Sequence, residues 1–234
     1  MEVDFSERGQ LYVFSGPMSA RKTGSLLSFM DRITFAGKPW QLFKPASDDR
    51  PDLYKGTKYG PTDVISRGVG ETVYGLPGTL LPQDDIKNLP RLLDPVVLNE
   101  CGFVGIDEVT LLTGPGGTLS KVFIRDNIRV IQALLNAGCS VVTAGLDKNY
   151  RGQPYGPMPH LLAMADHSEK LTAICMADGC NKRASMTMRS LPDGSPDSWL
   201  ADEKVVGARQ YQARCRGHHE VTNIPQEYLL EHFL

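Results

Sequence analysis

Three groups of residues in this chain have the types and spacing to do chemistry. The first is Gly16-Pro17-Met18-Ser19-Ala20-Arg21-Lys22-Thr23, set between the apolar run Leu11-Tyr12-Val13-Phe14 and Leu26-Leu27-Ser28-Phe29-Met30. A glycine, four residues, position 21, a lysine and a threonine have the spacing of a P-loop, whose backbone N–H groups and following helix N-terminus cradle phosphate. Lys22 would neutralise the β- and γ-phosphates, and the Thr23 hydroxyl would meet Mg²⁺. Arg21 stands where that pattern expects a second glycine, at a helix start, where cations are disfavoured unless an anion is near. The second group is the acid pair Asp107-Glu108, closing Gly102-Phe103-Val104-Gly105-Ile106. An acid at the end of a neighbouring strand is needed to hold Mg²⁺, because one lysine cannot neutralise a triphosphate, and Asp107 fits that place. Glu108, next in the strand, would point to the other side and be free to act as a base or to orient a nucleophile. The third group is Cys175 with Cys180 and Cys215 with His218, two short pairs that suit a tetrahedral structural zinc. His219 is adjacent and could take the place of His218.

These groups need elements to hold them. The apolar run before the loop reads as a strand, and the residues after it as a helix to about Ala36, where Gly37 and Pro39 supply stop signals. A second buried strand, Trp40-Gln41-Leu42-Phe43, ends in Lys44-Pro45 and delivers Ser47 to Pro51 to the sheet edge where ligands bind, which makes Asp48 and Arg50 site candidates. From Lys55 to about Gly75, glycines at 56, 60, 68, 70 and 75 surround Asp63-Val64-Ile65-Ser66-Arg67. This pattern predicts a mobile flap whose Arg67 could clamp phosphate oxygens. Residues 79 to 99, broken by Pro82, Pro90 and Pro95, are weakly patterned. A helix is expected over 118 to 137, closed by Ala137-Gly138, and then a buried strand, Ser140 to Leu146. The end of that strand, Asp147 to Gly152, again lies on the ligand edge, where Tyr150 could stack on a base. Alternating strands and helices predict a doubly wound α/β domain with a parallel sheet. Between the two Cys/His pairs, Leu191-Pro192-Asp193-Gly194-Ser195-Pro196 is rich in turn residues, so residues 184 to 214 read as a loop staked at both ends by metal and suited to closing over a ligand.

Composition narrows the partners. The chain has 234 residues, 41% hydrophobic and 22% charged, with a net charge of −2. It can bury a core, and it lacks the basic footprint of a general nucleic-acid binder. No run approaches the 18 or so apolar residues of a membrane span, and Met1-Glu2-Val3-Asp4 has no export-signal pattern, so a cytoplasmic protein with small-molecule partners is expected. Five cysteines in such a chain suggest metal binding or burial before disulfides, with Cys101 and Cys139 read as buried small hydrophobes.

P-loop, acid pair, arginine flap and metal-staked loop, in this order, resemble the zinc-containing class of thymidine kinases from about residue 10 to residue 221. The most specific stretches are Leu146 to Gly152, Pro154 to Pro159, Leu161 to Asp166, Lys170 to Cys175, and Gly207 through Tyr211 to His219. The resemblance implies a P-loop NTPase-like sheet domain over 1–170 and a small zinc-binding domain over 171–234 that carries a lasso-like, substrate-closing loop. It implies ATP-dependent phosphorylation of the thymidine 5′-hydroxyl. ATP and Mg²⁺ would be held by Gly16, Pro17, Met18, Ser19, Ala20, Arg21, Lys22, Thr23 and Asp107, with Asp48 and Arg50 in the same neighbourhood, and Glu108 would remove the hydroxyl proton. Met18, Leu146, Tyr150, Thr187 and Tyr211 would form the thymidine pocket, with backbone groups around Val205, Val206 and Gly207 reading the base. Zinc would be held by Cys175, Cys180, Cys215 and His218, and the protein would be a homo-oligomer, commonly a tetramer in this class. Three departures stand out: Arg21 in the P-loop, Val109-Thr110-Leu111 where the class usually has a small residue, a glutamine and an aromatic, and the long spacing from Cys175 to Cys180. Arg21 also motivates a second reading, a catalytically weak relative that binds nucleotide as a sensor or assembly subunit.

Overall fold

The computed structural model describes residue 4 and residues 6–48, 51–67, 72–114, 120–203 and 211–233, leaving aside the side chains of Asp52, Leu53, Arg67 and Phe233. By internal contacts the chain divides into two compact units. One comprises Met1–Ser15, Arg21–Gly145 and Gly156–Lys170; the other comprises Gly16–Ala20, Leu146–Tyr155 and Leu171–Leu234.

The first unit is a sheet sandwiched between helices. Its elements in order are β1 (Leu11–Gly16), α1 (Lys22–Phe35), β2 (Trp40–Pro45), β3 (Val64–Arg67), β4 (Val73–Leu76), β5 (Thr79–Leu81), β6 (Phe103–Ile106), a helix at Lys121–Asn136, β7 (Ser140–Leu146), a helix at Met158–Met164 and β8 (His167–Lys170). Six strands form a parallel sheet in the order β5-β2-β6-β7-β1-β8. Both faces are covered, so the central strands are continuous apolar runs, and every residue of β1 is buried. Alternation sends Leu11, Val13, Phe43, Val104, Ile106 and Val141 into one core with Ile131 and Leu134 of the Lys121–Asn136 helix and Met158 and Leu161 of the Met158–Met164 helix. On the opposite face the Phe29 ring of α1 lies 4.7 Å from Tyr12, 6.1 Å from Phe14 and 6.3 Å from Phe103. Gly105 is needed there. A Cβ on it would fall 2.6 Å from Leu42 and 3.2 Å from the Met30 sulfur of α1.

The helix boundaries follow local chemistry. The Ser120 hydroxyl accepts a hydrogen bond from the Phe123 N–H at 3.4 Å and caps the Lys121–Asn136 helix, which ends at Ala137 with Gly138 at φ 86°. Helix α1 stops at Phe35, with Gly37 at φ 67°. Within residues 55 to 75, β3 and β4 form an antiparallel hairpin with Val64 opposite Leu76. Val64 and Ile65 of the expected flap are buried, while residues 68–71 and the Arg67 side chain lie outside the described residues. The weakly patterned residues 79 to 99 supply β5 and short helical turns that send Leu81, Ile86, Leu89 and Val97 into the core. Cys139 is buried as expected, while Cys101 is only partly so.

The second unit is built from small pieces. β9 (Ala173–Ile174) pairs antiparallel with β10 (Arg183–Ala184), and β11 (Met186–Arg189) with β12 (Tyr211–Arg214). Ala20, Ala173, Cys175, Ala184, Ala213 and Cys215 form one cluster of small buried side chains, and Tyr150, Tyr155, Met186 and Met188 are buried as well.

Candidate functional site

The phosphate loop leaves β1 at Gly16, whose φ is 152°. A Cβ there would meet the Leu171 carbonyl oxygen at 2.5 Å, so only glycine fits. Ser19 and Arg21 both adopt positive φ, 60° and 61°. Arg21 sits in the left-handed region with ψ 29° as the N-cap of α1, and the Ser25 N–H donates to its carbonyl at 2.9 Å. The conformation that the missing glycine would have eased is therefore present, carried by an arginine. Lys22 is 6% exposed. The Arg21 side chain lines a cavity of about 420 Å³ beside α1 with Phe14, Ser25, Phe29, Arg32 and Glu169.

The acid pair meets the loop as the spacing requires. Thr23 Oγ1 lies 3.0 Å from both carboxylate oxygens of Asp107. Asp107 is 1% exposed, and its N–H donates to the Phe43 carbonyl at 2.9 Å, continuing the β2–β6 pairing by one residue. Glu108 differs from expectation in how it is aimed. Strand alternation ends at Ile106, and Glu108 adopts a left-handed conformation (φ 47°, ψ 43°) that opens the 3-10 turn Val109–Leu111. A backbone reversal, not the strand's two-residue period, sets its direction. Asp48 is buried, and the buried Lys44 donates from Nζ to the Asp48 carbonyl at 3.2 Å. The turn that carries Asp48 is also pinned by the Asp84 carboxylate, which accepts from the Ser47 N–H at 2.9 Å. Arg50 lies outside the described residues.

Met18, Leu146, Tyr150, Thr187 and Tyr211 all belong to the second unit. Thr187 Oγ1 accepts a hydrogen bond from the Met18 N–H at 3.0 Å. Tyr150 is 2% exposed, its hydroxyl 2.8 Å from the Ser198 carbonyl and 3.0 Å from that of Ala201. The Arg189 guanidinium carbon lies 3.7 Å above the centre of the Tyr150 ring. Arg151 adds a bond from Nε to the Tyr150 hydroxyl at 3.1 Å and one from Nη2 to the Ala201 carbonyl at 2.6 Å. Arg189, Arg151 and Asp197 were not singled out in the sequence. The signal is weak there, because an arginine in Met186-Thr187-Met188-Arg189 shows its burial only once its distant partners are known. Val205, Val206 and Gly207 lie outside the described residues.

The Cys/His residues converge. The ligating atoms of Cys175, Cys180, Cys215 and His218 all lie within 4.8 Å of one another. His218 Nδ1 is 3.6 Å from the Cys175 sulfur and 3.5 Å from the Cys215 sulfur. A zinc tetrahedron with bonds of about 2.3 Å to sulfur and about 2.0–2.1 Å to nitrogen puts such atoms about 3.6 Å apart. Burial pushes the Cys175 thiol up, but N–H groups of Cys215 and Ala177, with His218 and Cys180 beside it, bring it down to about 6, toward the thiolate a metal requires. This set could hold a metal ion. His219 is engaged elsewhere, its Nε2 2.8 Å from the Tyr150 carbonyl oxygen, which leaves His218 as the imidazole of the cluster. Ala20, the fifth residue of the phosphate loop, packs into the small core that Cys175 and Cys215 help to form.

A parallel sheet with a phosphate loop opening its first helix, an acid on the loop threonine and a separate three-thiol, one-imidazole cluster define a P-loop α/β protein with a metal-suited accessory part. The thymidine kinase family model matches residues 9–219. Two curated relatives named thymidine kinase, from Ureaplasma urealyticum serovar 10 and Ureaplasma parvum serovar 3, are 32% identical to the chain over 228 residues, covering 94% of it and 87% of each relative. The chain belongs to the thymidine kinase family.

Proposed function

We propose that this protein transfers the γ-phosphoryl group of ATP to the 5′-hydroxyl of thymidine, giving thymidine monophosphate for DNA synthesis by nucleoside salvage. The family match across residues 9–219 carries this reading, and the geometry of the phosphate loop fits it. The backbone of Gly16 to Ala20 and the N-terminus of α1 would receive the phosphates, with Lys22 neutralising charge on the transferred group. Thr23 and Asp107, already 3.0 Å apart, would hold Mg²⁺, which when bound supplies charge neutralisation across the phosphates. Glu108 accepts the 5′-hydroxyl proton as that oxygen attacks phosphorus in line and the ADP oxygen leaves. Asp48 and Arg50 complete the phosphate neighbourhood. Met18, Leu146, Tyr150, Thr187 and Tyr211 surround the nucleoside, with the backbone at Val205, Val206 and Gly207 on the base. Cys175, Cys180, Cys215 and His218 hold a structural zinc that shapes residues 171–234 as a small domain beside the nucleotide-binding domain of residues 1–170.

The proposed state is a cytoplasmic homo-oligomer, a tetramer by family resemblance, acting without nucleic acid or membrane. No helix among the described residues is long and apolar enough to cross a membrane, and Phe35, 91% exposed at the end of α1, offers apolar surface for self-association. The test of function is direct. Purified protein with ATP and Mg²⁺ is mixed with each nucleoside in turn, and monophosphate is assayed. Formation of thymidine monophosphate is expected. One observation favours the second reading of a nucleotide-binding sensor: a non-glycine residue at the left-handed position 21. Folded protein that binds ATP and turns over no nucleoside would establish the sensor in place of the kinase.

A further inference from the structure

Arg189, the last residue of β11, is 1% exposed. Its Nε meets the Asp197 carboxylate at 2.6 Å, its Nη1 donates to the Asp202 carbonyl at 2.6 Å, and its guanidinium lies 3.7 Å over the Tyr150 ring. Tyr211 is its direct partner across the β11–β12 pair, and Thr187 stands two residues away on the same face of β11. Burial works against the Arg189 charge, but the Tyr211 hydroxyl and the Asp197 carboxylate beside it raise its pKa on balance. Three of the residues assigned above to the nucleoside therefore sit around one buried cation.

The stem it grips has one ring contact, Trp199 at 4.8 Å from Tyr228, and is otherwise tied down by polar groups. Leu200 is 76% exposed, and besides the Trp199 ring contact the chain from Asp197 to Glu203 is held by polar bonds: the Arg189 contacts, the Tyr150 hydroxyl, Arg151 to Ala201, Asn149 Nδ2 to Glu203 Oε1 at 2.7 Å, and backbone bonds to Thr222. A buried ion pair is a poor way to gain stability, since apolar residues of the same volume often serve as well. What a guanidinium supplies instead is direction, with a fixed fork for carboxylate and carbonyl and a flat face for the aromatic ring.

We infer that Arg189 is a positioning residue for nucleoside capture, its guanidinium locking Tyr150 and Tyr211 in place and tying the stem Asp197–Glu203 to them. The inference rests on the thymidine kinase reading. It predicts an effect confined to the nucleoside, because the partners of Arg189 are Asp197, Asp202 and the Tyr150 ring.

The experiment compares steady-state kinetics of the wild type with Arg189→Met, Arg189→Lys and Asp197→Asn, varying thymidine and ATP separately and measuring the bound metal. If Arg189→Met leaves about a tenth of the molecules competent, the KM for thymidine rises about tenfold. The KM for ATP is expected to stay within about twofold and the metal content to match the wild type. Arg189→Lys, which can reach Asp197 but cannot fork or stack, should fall between. Asp197→Asn should shift the thymidine KM in the same direction by less, and it carries the test if Arg189→Met does not fold. An unchanged thymidine KM in these variants, or equal rises in both KM values, overturns the positioning role while leaving the kinase reading intact. Absence of turnover in the wild type overturns both.

Discussion

The sheet unit is packed around large side chains such as Leu11, Phe43, Val104, Ile106, Ile131 and Leu161, whereas the cluster around the cysteines of the other unit is made of small ones, Ala20, Ala173, Cys175, Ala184, Ala213 and Cys215. Burying a Leu, Ile, Phe or Met contributes roughly 1.5–3 kcal/mol, and an alanine methyl far less. The first unit can thus be held by apolar burial. In the second unit Tyr150, Tyr155, Met186 and Met188 are buried, but around the cysteines the packing is of small side chains, and two kinds of cross-link add to it: the Cys/His cluster, and the buried arginine with its carboxylate and carbonyl partners. Small folds with thin cores commonly depend on such staples. The roles proposed above do not divide along the same line: Lys22, Thr23, Asp107 and Glu108 lie in the sheet unit, whereas Gly16–Ala20 of the phosphate loop and the proposed nucleoside residues lie in the stapled one.

The largest test of this contrast is Cys180→Ala. Structural zinc sites bind with free energies on the order of 10–16 kcal/mol, most of which is folding energy. The variant should lose its metal by elemental analysis and lose amide protection from hydrogen exchange in β9 to β12 while β6 and β7 keep theirs. ATP affinity should fall with it, because Ala20 packs in the same core. Simultaneous loss of protection in both units would break the contrast.

Phe43→Ala is the complementary change. It should cost about 3–5 kcal/mol of global stability, read as a lower denaturation midpoint, with the metal retained. Glu108→Gln should lower kcat by about 10²–10⁴ with thymidine affinity by calorimetry unchanged, which separates the proposed proton transfer from nucleoside binding. The smallest effect is expected of Arg21→Gly. Relief of a left-handed side chain, worth about 1–2 kcal/mol, should tighten ATP binding about tenfold. Weaker binding in this variant would identify the guanidinium as a phosphate ligand in its own right.

What could be read from the sequence was whatever a short window contains. The spacing from Gly16 to Thr23, the apolar run ending in Asp107-Glu108, the strand at residues 140–146 and the Cys/His pairs each declare themselves locally, and the sheet they imply is the one found. The misses are elements whose reason lies elsewhere in the chain. β8 is His167-Ser168-Glu169-Lys170, a sheet-edge strand with no apolar alternation, placed only because β1 offers it a free edge and because Asp166 accepts from the Leu11 N–H at 2.8 Å. β5 is three residues long and takes its order from pairing with β2. The aim of Glu108 depends on a left-handed residue that no propensity favours there, and Arg189 looks like any surface arginine until Tyr150 and Asp197 are folded around it.

The grouping of Gly16–Ala20 with Leu171–Leu234 also has a meaning in time. These five residues are made well before Leu171, whose carbonyl faces Gly16, and before the cysteines that surround Ala20. At about 5–20 residues per second the interval between Ala20 and Leu171 lasts on the order of ten seconds. During that interval β2, β5 and β6 can begin to pair while the proposed nucleotide grip stays unformed. The nascent chain should acquire affinity for ATP only after Cys215 and His218 have emerged and the proposed metal site is complete.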